Sequence, residues 1–233
     1  SKRFVPKRRQ RAREYAHECA EKRQTVCMLT PAESKAQRLY ALALVFYFVS
    51  FIGWCGETLR FLVRFGRLRD RGFLTLPFCT IYGSCLTGMY LFIGTPQNGR
   101  LAPLFAKAEG LRGAARPAAK CGLYALYFLC AALLPTLAEL AFGGLFSAFG
   151  VRLWDYGYKK VHLYGLISPD QSLLWGALVT LAMRFAWEPL HAAMRLPPRV
   201  RKTAAIALTA LTSADFLFCA AFLLITGRRP TLF

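Results

Sequence analysis

From Gly72 to Gly99 the chain runs for 28 residues without a charge. Leu39–Gly56 and Cys121–Ala138 are uncharged for 18 residues each, and the apolar character resumes after Glu139 as far as Val151. About 20 apolar residues cross a typical bilayer as a helix. A surface helix of a globular protein keeps one polar face toward water, and these runs have none. The chain is therefore expected to be all-α and polytopic, a membrane protein. Its 55% hydrophobic content and mean hydropathy of +0.33 agree with that class.

The pattern predicts five spans: Leu39–Phe65, Leu74–Gly94, Cys121–Phe149, Gln171–Leu190 and Thr203–Thr226. In the fourth, Arg184 and Glu188 shorten the apolar run. The stretch Gly150–Pro169 is aromatic, polar and broken by glycines, and is expected to lie at the interface or fold back partway. Residues 1–35 read as a basic polar tail, 36–227 as the transmembrane helical domain and 228–233 as a short C-terminal tail. No apolar stretch of signal-peptide type follows the basic start.

The formal charge of +19 is arranged around the apolar runs, where Lys and Arg meet lipid phosphates and set orientation. With the N-terminus inside, the inner segments hold 21 Lys and Arg and the outer segments 10. The positive-inside rule then predicts a multi-pass protein of the cell membrane with a cytoplasmic N-terminus. No nucleic acid is expected as a partner. The eight cysteines show no C-x-x-C spacing and sit mostly in apolar runs, as small hydrophobes. No metal and no cofactor is expected.

Three acids interrupt the spans: Glu57, Glu139 and Asp215. A carboxylate in hydrocarbon costs at least about 2.5 kcal/mol, so each needs a partner or a polar cavity. In the predicted topology Glu57 and Glu139 share the outer half and Asp215 lies near the midplane. Arg60 and Arg64 follow Glu57 on the same helical face, and Arg71 stands at the mouth of the second span. Two readings stay open: a polar cavity or relay for an ion or substrate, and a set of interhelical bonds that fix packing. Gly72 and Pro77 predict a bent entry into the second helix. Leu153-Trp154-Asp155-Tyr156-Gly157-Tyr158 reads as an aromatic belt, with Asp155 as a candidate external gate.

Taken in order, Trp54-x-x-Glu57, Arg71-Gly72-Phe73-Leu74 with Pro77 and Ile81-Tyr82-Gly83, Glu139, Trp154-Asp155-Tyr156 with Gly165, and Asp215 resemble the type IV ABC-transporter permease family, CmpB-like. The similarity covers residues 38–226. Where the family's Trp-Asp-Tyr block continues with Ser and later Asn, this chain has Gly157 and His162. The resemblance implies a permease subunit, with Glu57, Arg71, Tyr82, Glu139, Trp154, Asp155, Tyr156 and Asp215 lining a substrate pathway or polar cavity.

The chain has no Gly-x-x-x-x-Gly-Lys phosphate loop, so ATP-driven transport calls for a separate ATPase subunit. The inner loop Arg100–Lys120 is a candidate docking segment for it. The other expected partners are the lipid bilayer and, as an open alternative, further copies of the chain. His17, His162 and His191 are scattered, and neither a Gly-x-Ser-x-Gly elbow nor a His-Glu-x-x-His motif occurs, so no catalytic residue is assigned. The alternatives to a permease are an intramembrane enzyme acting on lipid-linked substrates and a structural membrane subunit.

Overall fold

The computed structural model describes residues 31–68, 72–96, 98–185 and 187–230. Arg71 and most of the basic tail lie outside these residues. The described chain is all-helical: α1 (Pro31–Phe65), α2 (Thr80–Phe92), α3 (Ala102–Glu109), α4 (Ala115–Ala148), α5 (Pro169–Phe185), α6 (Trp187–Arg195) and α7 (Pro198–Thr226).

Among the described residues, three helices are long and apolar enough to cross a membrane: α1 from Lys35, α4 and α7. The expected count of about five spans is not confirmed. The second predicted span contains a helix of only 13 residues, α2, about 20 Å long. Its expected first turns, Leu74–Cys79, are irregular. Pro77 has no N–H to donate and pushes the residue before it out of the helical region. Within the fourth predicted span the described helical residues are those of α5, with 17 residues, and, beyond residue 186, those of α6.

Side-chain contacts give the directions of the helices. Between α1 and α7, Arg201 Nε donates to Gln37 Oε1 at 2.9 Å and Tyr47 Oη donates to Thr209 Oγ1 at 3.2 Å. The numbers rise together, so these helices are parallel. α2 runs back along α1, with Gly53 against Tyr82 and Gly83 against Ser50 and Phe46. A Cβ at either glycine would collide with those neighbours, so small residues set how closely the two backbones approach. α5 runs antiparallel to α4: the Thr136 and Ser172 hydroxyls lie 2.8 Å apart and Gly176 faces Phe128 and Ala132. Leu86, Met89, Tyr127, Ala131, Val179 and Met183 form the main core, where α2 joins α4 and α5.

One end of the bundle thus gathers Gln37, Arg201, α3 and the Gly94–Gly99 turn. The other gathers the ends of α1 and α4, the start of α2 and the loop 149–168. Only 22%, 22% and 17% of the apolar windows in α1, α4 and α7 are buried within the chain. The remaining apolar surface suits lipid, which solvates it without penalty.

Candidate functional site

Glu139 is the most deeply buried acid among the described residues, at 3% exposure. It sits on α4 four residues after Pro135, which removes one backbone hydrogen bond from the helix. The Thr136 hydroxyl donates to Ala132 O at 2.7 Å nearby. Two neutral donors converge on Glu139 Oε1: Trp175 Nε1 of α5 at 2.9 Å and Tyr156 Oη of the 149–168 loop at 3.1 Å. Oε2 is buried and has no hydrogen-bond partner. That oxygen is an acceptor left over, able to take a proton or a cation.

Glu57 of α1 reaches the same region through Tyr82. Tyr82 Oη donates to Glu57 Oε1 at 2.7 Å, and its ring packs edge-on against Trp175 with centroids 4.8 Å apart. The two acids are therefore joined side chain to side chain, in the order Glu57, Tyr82, Trp175, Glu139, Tyr156. Glu57 also has a cation at hand, Arg60 at 3.7 Å. Arg64 instead lies 5.4 Å from the ring centroids of Phe65 and Tyr158. Glu139 takes its hydrogen bonds from two aromatic side chains. Trp175 carries no signal in the sequence beyond being a lone Trp within an apolar run.

The 149–168 loop caps this end. Trp154 Nε1 donates to Leu166 O at 2.8 Å and Tyr156 N donates to Gly165 O at 2.7 Å, which folds the loop back on itself. This turns Tyr156 inward, at 8% exposure, and leaves Asp155 outward. Asp155 accepts from Gly157 N at 2.7 Å and from Arg152 at 3.2 Å. The Gly157 N–H foremost, with Arg152 beside it, holds its carboxyl below the usual range. Asp155 thus shapes the loop from its outer side while its neighbour Tyr156 contacts Glu139. Lys159 lies 4.8 Å from the Tyr156 ring centroid and binds Asp170 at 2.6 Å, tying the loop to the start of α5.

Asp215 stands apart from the two glutamates. Its carboxylate accepts from the Thr75 hydroxyl and from Leu76 N, the latter at 3.0 Å. It thereby supplies α7's bond to the irregular segment before α2, whose backbone has no helical partner to use. The arrangement brings together Glu57, Tyr82, Glu139 and Tyr156 and places Trp154 and Asp155 in the supporting loop. Arg71 lies outside the described residues. Sequence reasoning missed Trp175 and the buried Arg201, which donates to Gln37 and to Met194 O at the opposite end.

A family model described as "Putative ABC-transporter type IV" matches residues 44–220. The chain belongs to this family. The match runs from within α1 to within α7, so the ABC-transporter-family region includes both glutamates, the capping loop and Asp215. Membership and the apolar helices together make this a membrane protein of transporter type. Neither a curated protein nor a solved structure matches the chain.

Proposed function

We propose that the chain is a permease-like membrane subunit that moves a small substrate or ion together with a separate ATPase chain. Glu57, Tyr82, Trp175, Glu139 and Tyr156 form its polar site. The observation that carries this reading is Glu139 itself, nearly fully buried, with two donors on one oxygen and none on the other. An intramembrane acid is expensive to keep and marks an ion or substrate route by default. The site also joins separate elements, α1, α2, α4, α5 and the loop, so a change of charge at Glu139 bears on several of them at once. The N-terminus is assigned to the cytoplasm of the cell membrane, supported by the 21-to-10 bias of Lys and Arg. The site then lies toward the outer face.

Asp215 favours a second reading, a structural subunit, because its carboxylate is spent on holding backbone. Co-purification followed by reconstitution separates the two. A tagged chain extracted in mild detergent should bring an ATP-hydrolysing chain with it. In liposomes that assembly should drive ATP-dependent proton movement, read by an entrapped pH dye. Glu139→Gln should abolish the movement at unchanged protein level and melting temperature. Elution without ATPase activity, or loss of movement only in step with loss of melting temperature, would sink the permease reading.

A further inference from the structure

At the end of the bundle opposite the polar site, α3 lies against the first turns of α4. Phe105 packs edge-on to Tyr124 with ring centroids 5.0 Å apart. Beside this contact is an open groove of about 370 Å³ lined by Leu104, Lys107, Ala108, Leu111, Gly122 and Leu123. Its floor is bare at Gly122, where an added Cβ would meet nothing within 4 Å. Leu104 and Leu111 on its walls are 42% and 43% exposed.

The depth of this groove in the membrane follows from α4. That helix has 34 residues, about 51 Å, well beyond a hydrocarbon core of about 30 Å. Its N-terminal turns carry Arg116 and Lys120, and the uncharged run begins at Cys121. The hydrocarbon boundary therefore falls near Cys121, and the groove straddles it. Its polar rim is at headgroup level and its apolar floor at the level of the acyl chains.

The charge at the rim is positive. Glu109, the acid of α3, is engaged by both Lys120 and Arg116. These donors, Lys120 foremost, hold its carboxyl below the usual range, so it stays ionised and spends its charge on them. Lys107 lines the groove and is exposed, and Arg112, next in the chain to the lining residue Leu111, is exposed too. An apolar trough with cations at the headgroup level matches an amphiphile with an anionic head.

We propose that this groove holds one anionic phospholipid, its acyl chain along Leu104, Leu111 and Leu123 and its phosphate on Lys107 and Arg112. The assignment is independent of the transport reading and rests on the membrane class and the local geometry. A zwitterionic lipid offers the same chain without the net negative head. A basic residue near an anionic headgroup contributes about 1 kcal/mol, which is about fivefold in affinity.

The test uses the full chain, delipidated in neutral detergent. Retention of phosphatidylglycerol and of phosphatidylcholine is measured by native mass spectrometry over a lipid titration. One phosphatidylglycerol should bind at least fivefold more tightly than phosphatidylcholine. Lys107→Ala and Arg112→Ala should each weaken that site about fivefold toward phosphatidylglycerol and leave phosphatidylcholine unchanged. Gly122→Leu, which fills open space, should weaken both lipids while the melting temperature holds. Equal retention of the two lipids, or phosphatidylglycerol binding indifferent to all three substitutions, overturns the proposal. So does full competition by inorganic phosphate at the same concentration, which would make the groove a free-anion site.

Discussion

Asp215→Ala tests the inference that one carboxylate on α7 holds the irregular entry to α2. The substitution removes the acceptor for two donors, the Thr75 hydroxyl and the Leu76 N–H. Each donor stranded away from water costs about 1–3 kcal/mol. Both are only partly buried, so the sum should fall at about 2–4 kcal/mol. Thr75→Val removes one hydroxyl and its need for a partner together, and should cost about 1 kcal/mol. If the two groups act on each other, the double variant should fall short of additivity by about 1 kcal/mol. Asp215→Asn keeps one acceptor oxygen and should lie between wild type and Asp215→Ala. The assay is unfolding in mixed micelles by denaturing-detergent titration, followed by circular dichroism. Amide exchange at Leu76 is read in parallel and should accelerate in Asp215→Ala. A loss below about 0.5 kcal/mol with unchanged Leu76 exchange would refute the reasoning, since it would mean that lipid or water satisfies the segment as well as Asp215 does.

Four further outcomes are expected. Trp175→Phe and Tyr156→Phe each remove one donor from Glu139 and should each destabilise by about 1–2 kcal/mol in the same titration, whereas effects near zero would show that Glu139 does not depend on them. Gly83→Val forces a side chain into Ser50 and Phe46 and should cost at least about 1–3 kcal/mol, while Gly144→Val, where a Cβ meets nothing within 4 Å, should be far milder; equal effects would undo the close-packing argument. Asp170, held down to about 2 by Lys159 and Ser168, has a folded pKa below its unfolded value, so its stabilisation of the loop is complete above about pH 4 and is lost as pH falls toward 2. Amide exchange at Tyr156 should rise over that window in the wild type and show a flatter rise in Asp170→Asn; matching curves would rule out the Lys159–Asp170 tie. Arg201→Met should loosen the α6–α7 corner, because bonds to Gln37 and Met194 O vanish together, and amide exchange at Arg195 and Leu196 reports it.

The membrane class was legible from the sequence because a bilayer imposes a length on an apolar run, and α1, α4 and α7 meet it whatever they pack against. The three acids were legible for the same reason, since charge inside such a run stands out without any neighbour being known. The number of long spanning helices was not. α2 begins only at Thr80 because Pro77 and the chain before it take an irregular path, and that path is tolerated only where Asp215, distant in sequence, satisfies its backbone. The company each acid keeps was likewise decided by tertiary structure. Glu57 meets Tyr82 through a close crossing at Gly53 and Gly83, and Glu139 meets Trp175 and Tyr156 because α5 returns along α4 while the loop folds inward. Hydropathy records how a residue partitions, a property of one side chain and its chain neighbours. Which donor reaches which carboxylate depends on helix crossings between residues up to 140 positions apart, and that information exists only once the chain has packed.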